Sequence, residues 1–177
     1  RQAFLESESF TKLALEFRDQ RLTRVRREKL HVGTDGYVLH VVPLGLARTR
    51  IDLSQHYSAI RGSGVLRLPD SFRPNLDGFL LFFAANDTHA QFFRDGSVEV
   101  LYRPIVGQAE NGTRVVSGHW FERAIVGHVA QIVALLPILG IEPPLAVMAT
   151  LIGVRGAKVI AADSDLRDGL FHNEIAR

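Results

Sequence analysis

Length, composition and charge place this chain among folded proteins of about one domain. Its 177 residues can bury a sizeable core, and a content of 46% hydrophobic and 23% charged residues excludes a disordered chain. The absence of cysteine excludes disulfides, thiolate metal sites and cysteine nucleophiles. The longest candidate membrane span, residues 124–141, is interrupted by His128, Gln131 and Pro137. We therefore expect a soluble, cytoplasmic protein without a membrane partner.

The start of the chain bears on its domain organisation. Residue 1 is arginine, and the sequence enters a helical pattern at once, without a starting methionine or a signal-like segment. This start predicts the C-terminal part of a longer protein. We expect residues 1–30 to form a basic amphipathic helix joined to an α+β domain of residues 31–177, the two making one folding unit.

A helix is predicted over residues 9–30, with Ser7 or Ser9 as its N-cap. Its second half carries six basic residues against two acidic ones, a local net charge of +4 in a chain whose total is +2. The basic residues are Arg18, Arg21, Arg24, Arg26, Arg27 and Lys29. Clustered basic side chains favour phosphate contacts with DNA or RNA. The alternative is a solvated helix face whose arginine stems cover apolar surface.

The centre of the chain predicts a three-stranded antiparallel meander. Residues 79–85 are an apolar run too short for an ordinary helix, which predicts a central strand buried on both faces. Residues 89–93 and 97–102 flank Asp95-Gly96, a pair typical of a type I′ hairpin turn. Because polar residues alternate with apolar ones in the last strand, we expect one of its faces to be wetter.

Further elements are predicted on both sides of the meander. Residues 37–44 form a strand that Pro43 ends, and Asp52 caps a short helix. Ser117 caps a second long helix, whose apolar face we place at Phe121, Ile125, Val129, Ile132, Val133 and Leu136 and whose end we place near Gly140. Strands follow at residues 144–154 and 157–162. The fold class is therefore α+β, a mostly antiparallel sheet of about five strands with one long helix packed on it and the basic helix alongside or projecting.

Several sequence strings together point to a family. They are AFLESESF, FRDQRL, LHVVPL, DGFLLF, QFFRDGSVEVL, the pair Phe121-Glu122, LGIEPP and LIGVRG. Together they resemble the C-terminal region of bacterial proteins that carry an N-terminal Schlafen/Alba-like DNA-binding domain. The resemblance implies that nucleotide or nucleic-acid chemistry belongs to that N-terminal domain and that this chain is an appended module. The strings contain no catalytic signature, so no site residue is transferred.

The sequence lacks the common motifs for catalysis, metals and cofactors. The sequence contains no GxGxxG, P-loop, HExxH or GxSxG motif, so we assign no catalytic residue and no cofactor. Its seven histidines are dispersed, and the acidic tail fails the calcium-loop pattern because Arg167 occupies a ligand position. We expect His40 to be a hydrogen-bonded structural histidine. We assign no metal site.

One polar cluster stays open to two interpretations. Asn86, Asp87 and His89 lie close together in sequence, at the first turn of the meander. An aspartate beside a histidine can orient the imidazole for acid–base work in a pocket. Asn and Asp are also expected at a turn for their own hydrogen bonds to the backbone.

Three functional hypotheses follow. The first is a non-catalytic accessory or interaction module of a nucleic-acid-binding regulatory protein, with nucleic acid, its own N-terminal domain or a second copy as partner. The second is a small-ligand-binding or enzymatic domain with a pocket near Asp87 and His89. The third is a structural dimerisation domain, suggested by the apolar residues 79–85 and 144–152.

Overall fold

The structure is a computed structural model that describes residues 2–29, 35–45, 50–66, 69–84, 88–109 and 111–160. The helices are α1 (Gln2–Lys29), α2 (Tyr57–Arg61) and α3 (Gly118–Leu135), with 3-10 turns at Leu53–His56 and Leu136–Leu139. The strands are β1 (Gly36–Pro43), β2 (Ser71–Pro74), β3 (Gly78–Phe83), β4 (Thr88–Phe93), β5 (Val98–Tyr102), β6 (Gly107–Gln108), β7 (Arg114–Ser117), β8 (Leu145–Ile152) and β9 (Lys158–Ile160).

A six-stranded sheet organises the chain, in the order β2-β3-β4-β5-β1-β8. Every neighbouring pair in it is antiparallel. A small second sheet, β6-β7-β9, joins the end of β8 to the start of α3. The α+β class, the antiparallel sheet and the long helix are thereby confirmed.

The β3-β4-β5 meander is confirmed, but its second turn differs from the predicted one. Phe93 N–H donates to Ser97 O, and Gly96 N–H donates to Phe93 O. Arg94 and Asp95 are therefore the central residues, and Gly96, with a φ of +84°, follows them in the left-handed region. A three-residue loop with glycine in this position matches the right-handed twist of the strands, as a type I′ turn would.

Two burial predictions for the meander are wrong. β3 is second from the sheet edge, and Leu80, Phe82 and Phe83 remain partly exposed, whereas β4 is buried along its whole length. The polar face of β5 is also buried, because α1 lies over it and Glu99 is fully inaccessible to water. A helix therefore covers the face that alternation marked as wet.

Helix α1 begins earlier than predicted. It starts at Gln2, so Ser7 and Ser9 lie within the helix and do not cap it. Alanine, leucine, glutamate and glutamine, which favour helices, make up most of residues 2–8 and extend the helix in the N-terminal direction.

Helix α3 begins and ends where the sequence predicts. The Ser117 hydroxyl accepts a hydrogen bond from Trp120 N–H at 3.1 Å, and Gly140 ends the 3-10 extension with a φ of +72°. Its buried face is rotated from the predicted one, because Trp120 and His128 are buried while Val133 is 43% exposed.

The two faces of the large sheet have different partners. On one face, side chains of β1, β3, β4 and β5 form the main core with α3 and the 3-10 turns. The core residues contributed by α3 and its extension include Ile132, Leu135 and Leu136. On the other face, α1 packs Leu22 and Val25 in a smaller apolar cluster. The α1 face also contains the polar site described next.

Candidate functional site

A row of polar side chains crosses the sheet beneath α1. His40 of β1 is paired with Glu99 of β5, and Glu99 is paired with Gln91 of β4. Cross-strand partners point to the same face of a sheet. His89 precedes Gln91 by two residues on β4, so it lies on this face as well.

Glu99 is the centre of this arrangement and accepts from three side chains. Its Oε1 lies 2.8 Å from Nη2 of Arg21 and 3.5 Å from Nε2 of His89. Its Oε2 lies 3.0 Å from Nε of Arg21 and 3.1 Å from Nε2 of His40. We call these four residues the Glu99 cluster. The two carboxylate oxygens have about four acceptor positions, and four donors surround them.

The protonation states in the Glu99 cluster follow from this geometry. Burial by itself raises the pKa of Glu99, but the hydrogen bonds from His40, His89 and Arg21 and the charge of Arg21 outweigh burial and hold the pKa well below its ordinary value. An ionised carboxylate only accepts hydrogen bonds, so Nε2 of each histidine carries the proton. The positive charge of Arg21 balances the charge of Glu99.

Helix α1 places Arg21 by apolar and aromatic contacts on either side of it. Phe17, one turn before Arg21, meets the rings of His40 and Phe93 edge to face, at centroid distances of 5.7 and 5.4 Å. The Arg21 guanidinium itself stacks over the Phe93 ring, 4.8 Å from its centroid. Leu22 follows directly and is buried against the sheet. Arg21 is thus held by the Glu99 carboxylate, by the Phe93 ring and by the packing of its helix against the sheet.

The chemistry open to the Glu99 cluster is limited. Its carboxylate has no acceptor position left for a substrate proton. Nδ1 of His40 and Nδ1 of His89 are buried without a hydrogen-bond partner among the described residues. The Glu99 cluster therefore links α1 to the sheet through hydrogen bonds among its own side chains.

The predicted basic residues of α1 fall into two groups, of which the first is bound within the chain. Arg21 is paired with buried Glu99. Arg24 pairs with Asp77 at 2.9 Å, and both side chains are about half exposed. Arg18 donates to the neighbouring Asp19.

The second group remains at the surface. Arg26 and Arg27 are exposed, and within the described part of the chain neither forms an ion pair. The side chain of Lys29 lies outside the described residues. The structure therefore leaves Arg26 and Arg27, with half-exposed Arg24 beside them, as the cationic surface of α1.

The predicted polar pocket is described only in part. Asn86 and Asp87 lie outside the described residues. His89 is buried, and its Nε2 lies 3.5 Å from Oε1 of Glu99, so this residue belongs to the Glu99 cluster under α1.

A second buried polar pair lies on the opposite face, between the sheet and α3. The Tyr37 hydroxyl and Nδ1 of His128 are 2.5 Å apart. Burial lowers the pKa of His128 to about 4, and burial, together with the neighbouring Tyr102, raises the pKa of Tyr37. Both side chains are therefore neutral at pH 7, and the tyrosine donates to the histidine.

Comparisons with protein-family models, with curated proteins and with solved structures gave no match for this chain. Among the described residues, no group of three or more His, Asp or Glu side chains is placed to hold a metal ion. The segment Gly118–Leu139 is long and apolar enough to cross a membrane, a property that it shares with the core helices of soluble proteins.

Glu99 and its bond to Arg21 were missed at the level of sequence. The available indication was a recurrence of polar residues in strands that also carry core residues: His40, His89, Gln91 and Glu99. Four polar positions on one face of an otherwise apolar sheet require partners. A neighbouring helix with both apolar and basic residues could have been assigned to cover them.

Proposed function

We propose that this domain is a non-catalytic accessory module of a nucleic-acid-binding protein. The observation that carries the proposal is the saturation of Glu99. The sheet-side cluster that holds a carboxylate and two histidines is closed by its own hydrogen bonds. The hydrogen-bonding groups of these side chains hold α1 on the sheet, which favours a binding role for the domain over an enzymatic one.

The nucleic-acid contact is assigned to the exposed arginines of α1. Arg21 fixes the helix on the sheet through Glu99, so the residues one to two turns later are presented on a rigid support. Arg26 and Arg27 extend from this part of the helix into water. Guanidinium groups bind phosphate oxygens through paired N–H donors, and here they extend from a helix whose backbone is held on the sheet. Arg21 is excluded from this surface because releasing it would leave Glu99 buried without its counter-charge.

Binding of labelled single-stranded and duplex DNA and RNA across a salt series tests the proposal. The slope of log affinity against log salt is negative, and the variant Arg26→Gln/Arg27→Gln should reduce its magnitude by about 1.4 to 1.8, since each phosphate contact contributes roughly 0.7 to 0.9. The matched control is Arg61→Gln/Arg73→Gln, which removes two exposed arginines outside both α1 and β8 and should leave the slope unchanged.

Two results would overturn the assignment. Equal slopes for the parent chain and both double variants would mean that Arg26 and Arg27 do not contact phosphate. An absence of binding at low salt to every nucleic acid would remove nucleic acid as a partner of this domain.

A further inference from the structure

The part of the chain that forms α3 and β8 is nearly free of charge. Between Ala124 and Val154, Glu142 is the single charged residue, whereas charged residues make up 23% of the whole chain. Charged side chains are the usual means by which proteins keep exposed helix faces and sheet edges from associating. Surfaces that α3 and β8 expose therefore carry few charges that would oppose association.

Strand β8 forms one edge of the large sheet. Within the described residues of that sheet, it pairs with β1 alone. Leu44 N–H donates to Pro144 O, which fixes the alternation of the ladder. The even-numbered residues of β8, such as Met148 and Thr150, therefore direct their backbone groups at β1. The odd-numbered ones, such as Val147 and Ala149, direct theirs away from the sheet.

The sequence of β8 itself contains none of the usual devices that protect an edge strand. β8 is eight residues long and contains neither proline nor a charged residue. Val147 is 47% exposed and Leu151 is 39% exposed, and Ala149 between them is exposed as well. A long, apolar, unprotected edge strand is a template for pairing with another strand.

The exposed side chains of β8 lie on the same side of the sheet as α3. Val147, Ala149 and Leu151 are register partners of Val41, Leu39 and Tyr37, which are core residues on the α3 side. The outer surface of α3 is also apolar, with exposed Val126, Ala130, Val133 and Ala134 followed by Ile138 in its 3-10 extension. The exposed edge residues of β8 and the exposed residues of α3 thus lie on the same side of the sheet.

We propose that β8 pairs in antiparallel fashion with β8 of a second copy of this chain, so that two six-stranded sheets join into one. This inference rests on the proposed function and names the partner of the module's association surface. A two-fold axis normal to the sheet keeps the α3 helices of both copies on one side. The joined sheet would satisfy the outward backbone groups of both edges, with no like charges opposed within the strands.

Charge complementarity favours a second copy over other occupants. Outward-facing residues must oppose outward-facing residues, and the symmetric registers that do so with the greatest overlap of β8 are centred on Met148 or on Ala149. In either register, the end of one β8 that carries Glu142 lies beside the end of the other that carries Arg155. Both side chains are exposed. The acidic residue that precedes β8 in one copy and the basic residue that follows it in the other would therefore lie at the same end of the joined sheet, twice per dimer.

The first test is the mass of the chain in solution, measured by light scattering or sedimentation over a range of concentrations. We expect a mass that approaches about twice the 19.7 kDa of one chain as concentration rises. Val147→Lys should abolish the increase, because it places a charge beside the pairing edge. Leu76→Lys, which changes a 95% exposed residue in the β2-β3 turn, is the control and should still dimerise.

The second test locates the contact and does not depend on a destabilising change. Since the chain has no cysteine, Ala149→Cys provides a single reactive thiol next to its symmetry mate. A short bismaleimide should link two chains of this variant. It should not link Ser58→Cys, whose thiol is exposed on α2. Equal cross-linking of both variants would overturn the proposed edge.

A monomer at every concentration also overturns the proposal, as does sedimentation of monomeric chain with phosphatidylcholine vesicles, which would assign the apolar surface to lipid. These failures differ from failure of the proposed function. A monomer whose nucleic-acid affinity still depends on Arg26 and Arg27 removes the edge pairing alone. A dimer that binds no nucleic acid removes the phosphate contact alone.

Discussion

The two faces of the large sheet are covered in different ways. On the α1 face, a charged helix is fixed by the Glu99 cluster, and Arg21 meets a carboxylate that is fully buried. On the opposite face, α3 is held by apolar packing around Ile132 and Leu136 and by a neutral Tyr37–His128 hydrogen bond. Within the described part of the chain, apolar residues of α3 and β8 remain exposed. In contrast, the charges of Arg21 and Glu99 are paired with each other.

The two kinds of contact have different effects: the ion pair fixes the orientation of a helix, whereas exposed apolar surface favours association. A buried ion pair contributes little net stability because desolvation offsets attraction, yet it strongly penalises any pose that separates its members. Apolar contact is less directional and increases with area, so an uncovered apolar surface can be buried further by a second molecule. We therefore assign orientation to the α1 face and association to the α3 and β8 face.

The largest effect is expected from removal of the charge of Glu99. Glu99→Gln leaves the mostly buried Arg21 guanidinium without a counter-charge, so the free energy of unfolding should fall by about 3–5 kcal/mol. Urea denaturation of Arg21→Met, Glu99→Gln and the double variant measures the coupling. The double variant should lose clearly less than the two single variants combined. Additive losses would show that the two residues do not act as a pair.

A second, smaller effect concerns pH and the α3 face. Unfolded His128 takes up a proton near its ordinary pKa of 6.5, whereas the folded protein resists protonation down to about 4. The unfolded state therefore binds more protons between these values, and stability falls as pH falls through this window. The expected loss between pH 7 and pH 5 is about 2 kcal/mol.

The control for this pH dependence is His128→Phe, in which the loss between pH 7 and pH 5 should largely disappear. The low pKa of Glu99 acts in a different window. Its contribution is present above the ordinary glutamate value of 4.5 and is lost only as pH falls below it. An unchanged loss in His128→Phe would mean that another group causes the dependence.

The smallest of these effects concerns the start of α3. Ser117→Ala removes the acceptor of Trp120 N–H and should lower the free energy of unfolding by about 1 kcal/mol. Ser117→Thr keeps a hydroxyl that can accept from the same N–H and should cost less than Ser117→Ala. If both substitutions cost the same, the cap contributes little and α3 is held by packing alone.

The meander and α3 could be predicted from sequence because their patterns are local. The alternation after Gly96, the cap at Ser117 and the stop at Gly140 each depend on a few neighbouring residues. The burial of Glu99 could not be read in this way. It depends on Arg21, which is separated from it by 78 positions and lies on a helix whose placement over β5 no local pattern specifies.

Similar reasoning applies to the basic segment of α1. Composition alone treats its arginines as equivalent, because charge counts carry no information about partners. The structure separates Arg21, which is mostly covered and paired with Glu99, from exposed Arg26 and Arg27 through the direction in which each leaves the helix. The order of strands, which makes β8 an edge, also depends on long-range pairing with β1.

Residue-resolved hydrogen exchange at two protein concentrations tests most directly that one face is closed and that the β8 edge is open to a second copy. At low concentration, amides of Met148 and Thr150, which face β1, should be protected, while those of Val147, Ala149 and Leu151 should exchange rapidly. At high concentration, all five should be protected, with no change in α1. Outward amides of β8 that exchange at the same rate at both concentrations would contradict the account.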